Sequence, residues 1–383
     1  MDKYVILGNV LAPNIFQQWI DAGEIINPSH QQYILRLTKA LASQHPVQVV
    51  SIPPLRKTAQ GLKIPQQFLR DEDCWFLQFS FLNQRLLRPL SLGFAIHRYI
   101  KQLLKRTDGM IYLMIDGNSP LAYHVAKRYR HHPKIKQIGI FTDDPRQLTG
   151  IKLSKATQWI HQHQHHDAYL AITEPLAKVF NPANKPTLLV PGLVESLTGA
   201  KQHPRPYLFF SGALYPRYGV EAMIKGFLAA NLPDFDLLIA GFGPEASMIE
   251  RLSQAHRQIK YLGLLTPTLV QKYQAGAYAN LNPRPLDATL DPVAIPSKVF
   301  DYLAAGVPCL TTRHPFFETH FPDQLIWIEE ASEDGIRVAL QRMIQLDYAL
   351  LQSKANKAKD YTLAHWGIGP TGQALVAWLN SLK

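Results

Sequence analysis

Short, nearly unbroken apolar runs alternate with amphipathic stretches of helical period along most of this chain, and they do so in two successive sets. The first set reads "YVILGNV", the helical "SHQQYILRLTKALASQ", "VQVVSI", "GMIYLMID", the helical "SPLAYHVAKRYR", "IKQIGIFTD", "HDAYLAIT" and "PTLLVPG". The second reads "YLFFSGA", "GVEAMIKGFLAA", "FDLLIAGFG", "PEASMIERLSQAH", "IKYLGLL", "TPTLVQKYQAG", "AYANLNP", a short helix, "PCLTT" and "QLIWIEE". A strand that is apolar at every position is buried on both faces, which requires a parallel sheet covered by helices on each side. The pattern therefore predicts an α/β protein of two doubly wound, Rossmann-like domains. The break falls in "GLVESLTGAKQHPRP", residues 192–206, rich in Gly, Pro and polar residues. Expected domains are 1–195 and 196–365, facing a central cleft with the carboxyl ends of their strands. The tail, 366–383, is one more amphipathic helix, expected to cross back to the first domain.

Composition narrows the partners. At 383 residues the chain is too long for one ordinary core. No apolar run approaches the roughly 18 residues of a membrane span. "MDKYVILGNV" suits a first buried strand better than a signal peptide. Cys74 and Cys309 lie too far apart to suggest a disulfide framework or a zinc site. A cytoplasmic location is expected, free or at the inner face of a membrane. The net charge of +11 is uneven, +10 in residues 1–200 and +1 thereafter. A basic first half suits an anionic substrate or an anionic membrane surface. No paired Cys/His finger, RNP-like aromatic motif or basic-leucine heptad points to nucleic acid. Residues 74–109 mix aromatics with Arg85, Arg88, Arg98, Lys101, Lys105 and Arg106. They read as a core helix whose basic outer face could dock on anionic lipid.

One segment raises a chemical question. In "IPSKVFDYLAAGVPCLTT", Ile295 to Thr312, an acid interrupts a short apolar helix. A buried carboxylate is costly without hydrogen-bond donors, so Asp301 is either solvated or holds a ligand. Pro296 at the first helical position would leave the N–H groups of Ser297 and Lys298 pointing outward as an anion site, with the Lys298 charge beside them. Gly306 suits the left-handed turn that ends such a helix.

From residue 207 onward four stretches, "SGALYPRYGVEAMIKGF", "LLIAGFGPEASMIERL", "NPRP" and the Asp301 segment, occur in an order that resembles the nucleotide-binding half of GT-B-fold glycosyltransferases. The likeness is to the group 1, family-4-like kind that builds bacterial exopolysaccharide and capsule. The resemblance implies a transferase that moves a sugar from a nucleotide sugar, UDP-linked, to a glycan or polyprenyl-diphosphate-linked acceptor without a metal or other cofactor. It implies that Asp301 accepts hydrogen bonds from the ribose hydroxyls, and that Lys298 and Arg217 clamp the diphosphate as catalytic cations. Gly212, Gly241 and Gly243 would let backbone approach the nucleotide, with Arg284 and Ser297 completing its site. Two departures stand out. The usual clamp cations are replaced by Ala213 and Tyr218, with Arg217 one residue away. The acid that contacts the donor hexose in many relatives is replaced by Val293, with Asp287 and Asp291 nearby.

Outside this half, Asp143 and Asp144 follow an apolar strand, where catalytic groups sit in such sheets. Asp143 is the candidate to orient the acceptor hydroxyl, or to act as base if the anomeric centre inverts. His124 is a further cleft candidate. "HQHQHH", residues 161–166, places His161 and His165 four apart, but two histidines without a third ligand make a poor metal site, and the run reads as a solvated helix face. "GFGPEA" also fits a dinucleotide turn, but it follows the second strand of its domain, not the first. The alternatives to a transferase are a nucleotide-sugar epimerase on the same architecture and a catalytically weak partner protein.

Overall fold

The computed structural model describes residues 1–21, 27–53, 63–71, 73–84, 86–148, 150–197, 199 and 202–383. The chain forms two compact units. Unit 1 comprises Met1–Leu193, Pro292–Ala294 and Ile368–Lys383, and unit 2 comprises Val194–Asp291 and Ile295–Gly367.

Unit 1 is built on strands β1 (Lys3–Gly8), β2 (Val47–Ser51), β3 (Lys63–Ile64), β4 (Gln67–Asp71), β5 (Cys74–Gln78), β6 (Phe81–Leu82), β7 (Ile111–Asp116), β8 (Ile135–Phe141), β9 (Ala168–Ala171) and β10 (Thr187–Leu189). Its eight-stranded sheet has the order β10-β9-β8-β7-β1-β2-β5-β4. All neighbours run parallel except β4, which is antiparallel to β5. Successive side chains of β1 go to opposite faces. Tyr4 and Ile6 join a core with Ile34, Leu37 and Leu41 of α2 (Pro28–Ala42), which follows α1 (Pro13–Asp21), and with Leu375 and Leu379 of the C-terminal helix, Ile368–Asn380. Val5 and Leu7 join a second core with Leu92, Ile96 and Ile100 of α3 (Leu87–Arg106).

The aromatic, basic stretch from residue 74 is not one helix. Its first residues are β5, buried on alternate positions, and the helix begins only at Leu87. Arg88 is also not on the outer face. It is buried with its guanidinium 5.3 Å from the Phe81 ring, and burial lowers its pKa to about 10. Arg98, Lys101, Lys105 and Arg106 are exposed, and Arg85 lies outside the described residues.

Unit 2 holds β11 (Tyr207–Ala213), β12 (Asp236–Phe242), β13 (Ile259–Gly263), β14 (Ala279–Asn282), β15 (Cys309–Thr312) and β16 (Ile326–Ile328), all parallel in the order β13-β12-β11-β14-β15-β16. Leu208 and Phe210 pack with Met223, Ile224 and Phe227 of the helix Val220–Ala230 on one face. Tyr207 and Phe209 face the other side. Chain order reverses between β11 and β14, and a ligand crevice lies at the carboxyl ends of strands at such a point.

Candidate functional site

The helix Ser297–Ala305 packs Val299, Phe300 and Leu303 into an aromatic-rich core with Phe317, Phe321 and Trp366. Its non-core side is polar: Ser297 is exposed, and Lys298 and Asp301 are half-buried. Spacings of three and four place these three residues on one face. Pro296 is the N-cap, with φ −61° and ψ 95°, so Ser297 and not the proline is the first helical residue. The correction follows from geometry: an extended ψ at residue 296 closes no helical turn, while the fixed proline φ suits either position. The Ser297 and Lys298 amides still precede the first intrahelical bond, which Val299 makes to the Pro296 carbonyl at 3.1 Å. Gly306 closes the helix at φ 68°, its N–H donating to Leu303 O.

A hydrogen bond ties this helix to the neighbouring strand end. The Ser211 N–H donates to the Tyr302 hydroxyl at 3.2 Å, one residue before Gly212. Gly212 and Gly241 are register partners across β11 and β12. At Gly241, φ is 145°, and a Cβ there would overlap the Gly212 carbonyl oxygen. A Cβ on Gly212 would lie 2.5 Å from the Lys298 ammonium. A Cβ on Gly243 would meet the Leu214 carbonyl. The three glycines thus share one crowded place, where backbone and the Lys298 head group come together at the reversal point.

The Lys298 ammonium sits 4.0 Å from the centroid of the Phe210 ring and 5.5 Å from that of Tyr218. Desolvation, with the like charge of Arg284 second, brings its pKa down to about 7. Arg217 lies on a short turn, Pro216–Tyr218, exposed, with its guanidinium 5.1 Å from the Tyr218 ring and donating to the Tyr218 hydroxyl at 3.3 Å. Tyr218, where the family resemblance would favour a lysine, is therefore the ring that both cations share.

Arg284 is held by other groups. Its guanidinium pairs with Asp291, whose second oxygen accepts the Asp287 N–H at 2.8 Å, and all of Arg284, Asp291 and His314 are buried. Asp287 caps its own turn, accepting from Thr289 and Leu290. Arg284 consequently acts on Lys298 through its charge, while the two acids do local structural work.

In unit 1, Asp143 belongs to a network that sequence reading missed. Its Oδ2 accepts from the Thr142 hydroxyl at 2.7 Å and from Asn118 Nδ2 at 3.0 Å. Thr142 Oγ1 lies 3.1 Å from His30 Nδ1, and His30 Nε2 lies 3.1 Å from Asp116 Oδ2. Asp116, fully buried, also accepts from the Asn9 and Asn118 amides. His30 enters from the first turn of α2, while the other members end β1, β7 and β8. Burial alone would lower the His30 pKa, but the Asp116 charge and hydrogen bond, helped by Asp143, raise it overall. Asp116 is lowered despite its own desolvation, by the His30 charge and hydrogen bond and then by the two amides. Asp144 caps the following turn and pairs with Arg146 at 2.5 Å. His124 is exposed, bonded to the Pro120 carbonyl at 2.7 Å, and does not join the network.

The histidine run also differs from a solvated face. His161 and His165 are exposed, but His163 and His166 are buried and bonded to each other, Nδ1 to Nε2, at 2.9 Å. The helix ends at His163, which lets the next residues fold back into the core. Among the described residues, no group of three or more His, Cys, Asp and Glu side chains is placed to hold a metal ion.

No protein-family model and no curated protein matches the chain. Solved structures do. Sucrose-phosphate synthase from Thermosynechococcus elongatus is 14% identical, with 99% of each chain covered and a TM-score of 0.66. Anabaena HepE in complex with UDP is 13% identical over 99% of this chain and 100% of that one, with a TM-score of 0.65. A trehalose-6-phosphate structure from E. coli bound with UDP-2-fluoro glucose is 12% identical over 99% and 98%, with a TM-score of 0.64. Two doubly wound parallel-sheet units, of eight and six strands, together with these full-length likenesses, give this chain the fold of the GT-B glycosyltransferases.

Proposed function

We propose that the chain is a glycosyltransferase that takes a nucleotide sugar, UDP-linked, into unit 2 and moves its sugar to a hydroxyl acceptor held by unit 1. The observation that carries this reading is the convergence at the reversal point of the unit 2 sheet. There Gly212 and Gly241 bring backbone together, Lys298 stands against Gly212, and Asp301 shares the Lys298 helix face. Proteins of this fold have been solved with UDP, with UDP and glucose, and with UDP-2-fluoro glucose.

In this reading Asp301 accepts both ribose hydroxyls, as a carboxylate can. The diphosphate lies at the helix N-terminus against the Ser297 and Lys298 amides and the Lys298 ammonium, and Arg217 supplies a second cation. Neutralising the leaving diphosphate is the electrostatic help such a reaction most needs. These groups do the work that a metal would otherwise do, so the reading invokes no cofactor. If configuration is retained, the leaving diphosphate itself takes the acceptor's proton.

The finer assignment is to exopolysaccharide, capsule or related cell-surface glycan assembly, on a glycan or polyprenyl-diphosphate-linked acceptor at the inner membrane face. It is supported by the outer side of α3 and the turn before it, where Leu86, Leu90 and Phe94 are exposed ahead of Arg98, Lys101 and Lys105. No helix among the described residues is long and apolar enough to cross a membrane, so contact would be peripheral.

Calorimetric titration of UDP tests the donor site. Asp301→Ala should cost about 2–3 kcal/mol, roughly 30- to 150-fold in affinity. A wild-type chain that binds no UDP at millimolar concentration would overturn the UDP-donor assignment.

A further inference from the structure

Strands β7, β8, β9 and β10 are parallel sheet neighbours, so the segments that lead into them meet at one end of unit 1. That end is opposite the carboxyl ends, where Asp116 closes β7 and Asp143 follows β8. Neighbouring strands lie about 4.8 Å apart, so the four entries span about 14 Å.

This end is densely basic. Residues 97–136 hold nine Lys and Arg against two acids, Asp108 and the buried Asp116. Lys105 and Arg106 are exposed at the end of α3, just before β7. Lys127, Arg128 and His131 are exposed ahead of β8. Lys134, half-buried, donates to the Thr107 carbonyl at 3.0 Å and so ties these two entries together. His165 is exposed before β9, and Lys185, before β10, donates to the His166 carbonyl at 2.5 Å. Among the described residues none of these lysines and arginines is in an ion pair. Of the acids at this end, Asp167 accepts the Gln137 N–H at 2.7 Å, and Asp108 is exposed.

The like charges are close enough to be felt by their neighbours. Desolvation lowers the His97 pKa first, and Lys101 and Arg128, from two different elements, lower it further. Desolvation, then Arg130 and Lys185, do the same at His165. Massed charge of one sign works against a compact fold, and a bound polyanion relieves it.

What this belt lacks narrows the partner. Between Arg98 and Lys136 no large apolar side chain is exposed. A lipid surface is gripped by such side chains, and here they lie toward the start of α3, at Leu90 and Phe94. Single-stranded nucleic acid stacks on exposed aromatics, whereas Tyr123 and Tyr129 are buried. Cations repeated strand by strand suit a flexible polymer whose negative charge repeats sugar by sugar.

We propose that this amino-end belt of unit 1 binds an acidic glycan, a sugar polymer that carries carboxylate groups along its length. That the polymer is a glycan rests on the glycosyltransferase reading; that it is a polyanion does not. Held there, a long acceptor gains affinity from charges remote from its reacting end.

The test uses the full chain and fluorescently labelled polygalacturonate, with binding read by anisotropy and UDP affinity measured on the same samples. Wild type should bind polygalacturonate at low salt, release it as salt is raised, and ignore neutral dextran. Lys127→Glu combined with Arg128→Glu should weaken binding about tenfold or more. Arg257→Glu combined with Lys357→Glu, an equal charge change on exposed residues of unit 2, should leave it within about twofold. UDP affinity should stay within about twofold in both variants, and circular dichroism checks that each is folded. Wild type that binds UDP but not polygalacturonate overturns the proposal alone, and one that binds neither overturns both readings. A belt variant that binds as wild type does, or a unit 2 variant that loses as much as the belt variant, also overturns it. Belt-dependent binding that is tighter for poly-L-glutamate, a dT oligonucleotide or phosphatidylglycerol vesicles overturns the glycan in favour of acidic protein, nucleic acid or lipid. Belt-dependent glycan binding in a chain with no UDP affinity would uphold the surface while overturning the donor assignment.

Discussion

Lys298 illustrates how much a single residue's surroundings decide. The sequence shows a lysine after the proline of a short helix. Only the fold buries its ammonium beside the Phe210 and Tyr218 rings and near Arg284, so that desolvation, with the Arg284 charge second, brings its pKa down to about 7. A diphosphate bound there would restore the charge. UDP binding at pH 8 should therefore take up close to one proton, and affinity should fall as pH rises from about 7 toward the restored value of the complex. Calorimetry in buffers of different ionisation enthalpy reads both, and Lys298→Met should remove the proton uptake. Gly241 gives a second residue-scale prediction. A side chain there strains the backbone at φ 145° and overlaps the Gly212 carbonyl, so Gly241→Ala should cost about 3 kcal/mol or more in unfolding free energy and abolish UDP binding. Asp301 was legible as a site candidate because an acid inside an apolar helical run stands out locally. His30 was not, because Asp116 and Thr142, which give it meaning, lie 86 and 112 positions away.

At the scale of elements, the helix Ser297–Ala305 was readable almost to the residue, since a proline start, a glycine stop and apolar spacing are local signals. The region from Cys74 was not. Its aromatic and basic composition fits strand and helix alike, and the sheet claims the first five residues because β2 offers them a parallel edge. What remains as α3 carries a divided outer side, apolar toward its start and basic toward its end. Cosedimentation with vesicles containing phosphatidylglycerol should show salt-sensitive binding. Phe94→Glu and Lys101→Glu should each reduce the sedimented fraction, and neither should alter the far-ultraviolet circular dichroism spectrum, because both side chains are exposed.

For the molecule as a whole, the buried histidines should give unit 1 a pH optimum of stability. Burial holds the His163 pKa down to about 4, and His166 well below its ordinary value. The unfolded chain protonates both near pH 6.5 while the folded one does not, so stability falls as pH drops below about 6.5, approaching about 1.4 kcal/mol per unit for each histidine. His30, raised, works in the opposite direction. Its contribution is complete below about pH 6.5 and is lost as pH climbs through its folded value. Denaturant titrations across pH 4.5 to 8.5 should accordingly show a maximum on the order of pH 6–7 for the transition of unit 1.

The sequence by itself determined the fold class, since strands apolar at every position admit only parallel sheets covered on both faces, and two such sets make two doubly wound units. It also indicated where the second unit would turn on glycine, and it placed the start of the Lys298 helix within one residue. Tertiary structure alone decided which charges meet. It committed Arg284 to Asp291, set Arg217 and Lys298 on Tyr218, and joined His30 to Asp116 and Asp143. Hydrophobic periodicity is a property of neighbours along the chain, whereas an ion pair is a property of neighbours in space, which the chain order does not record.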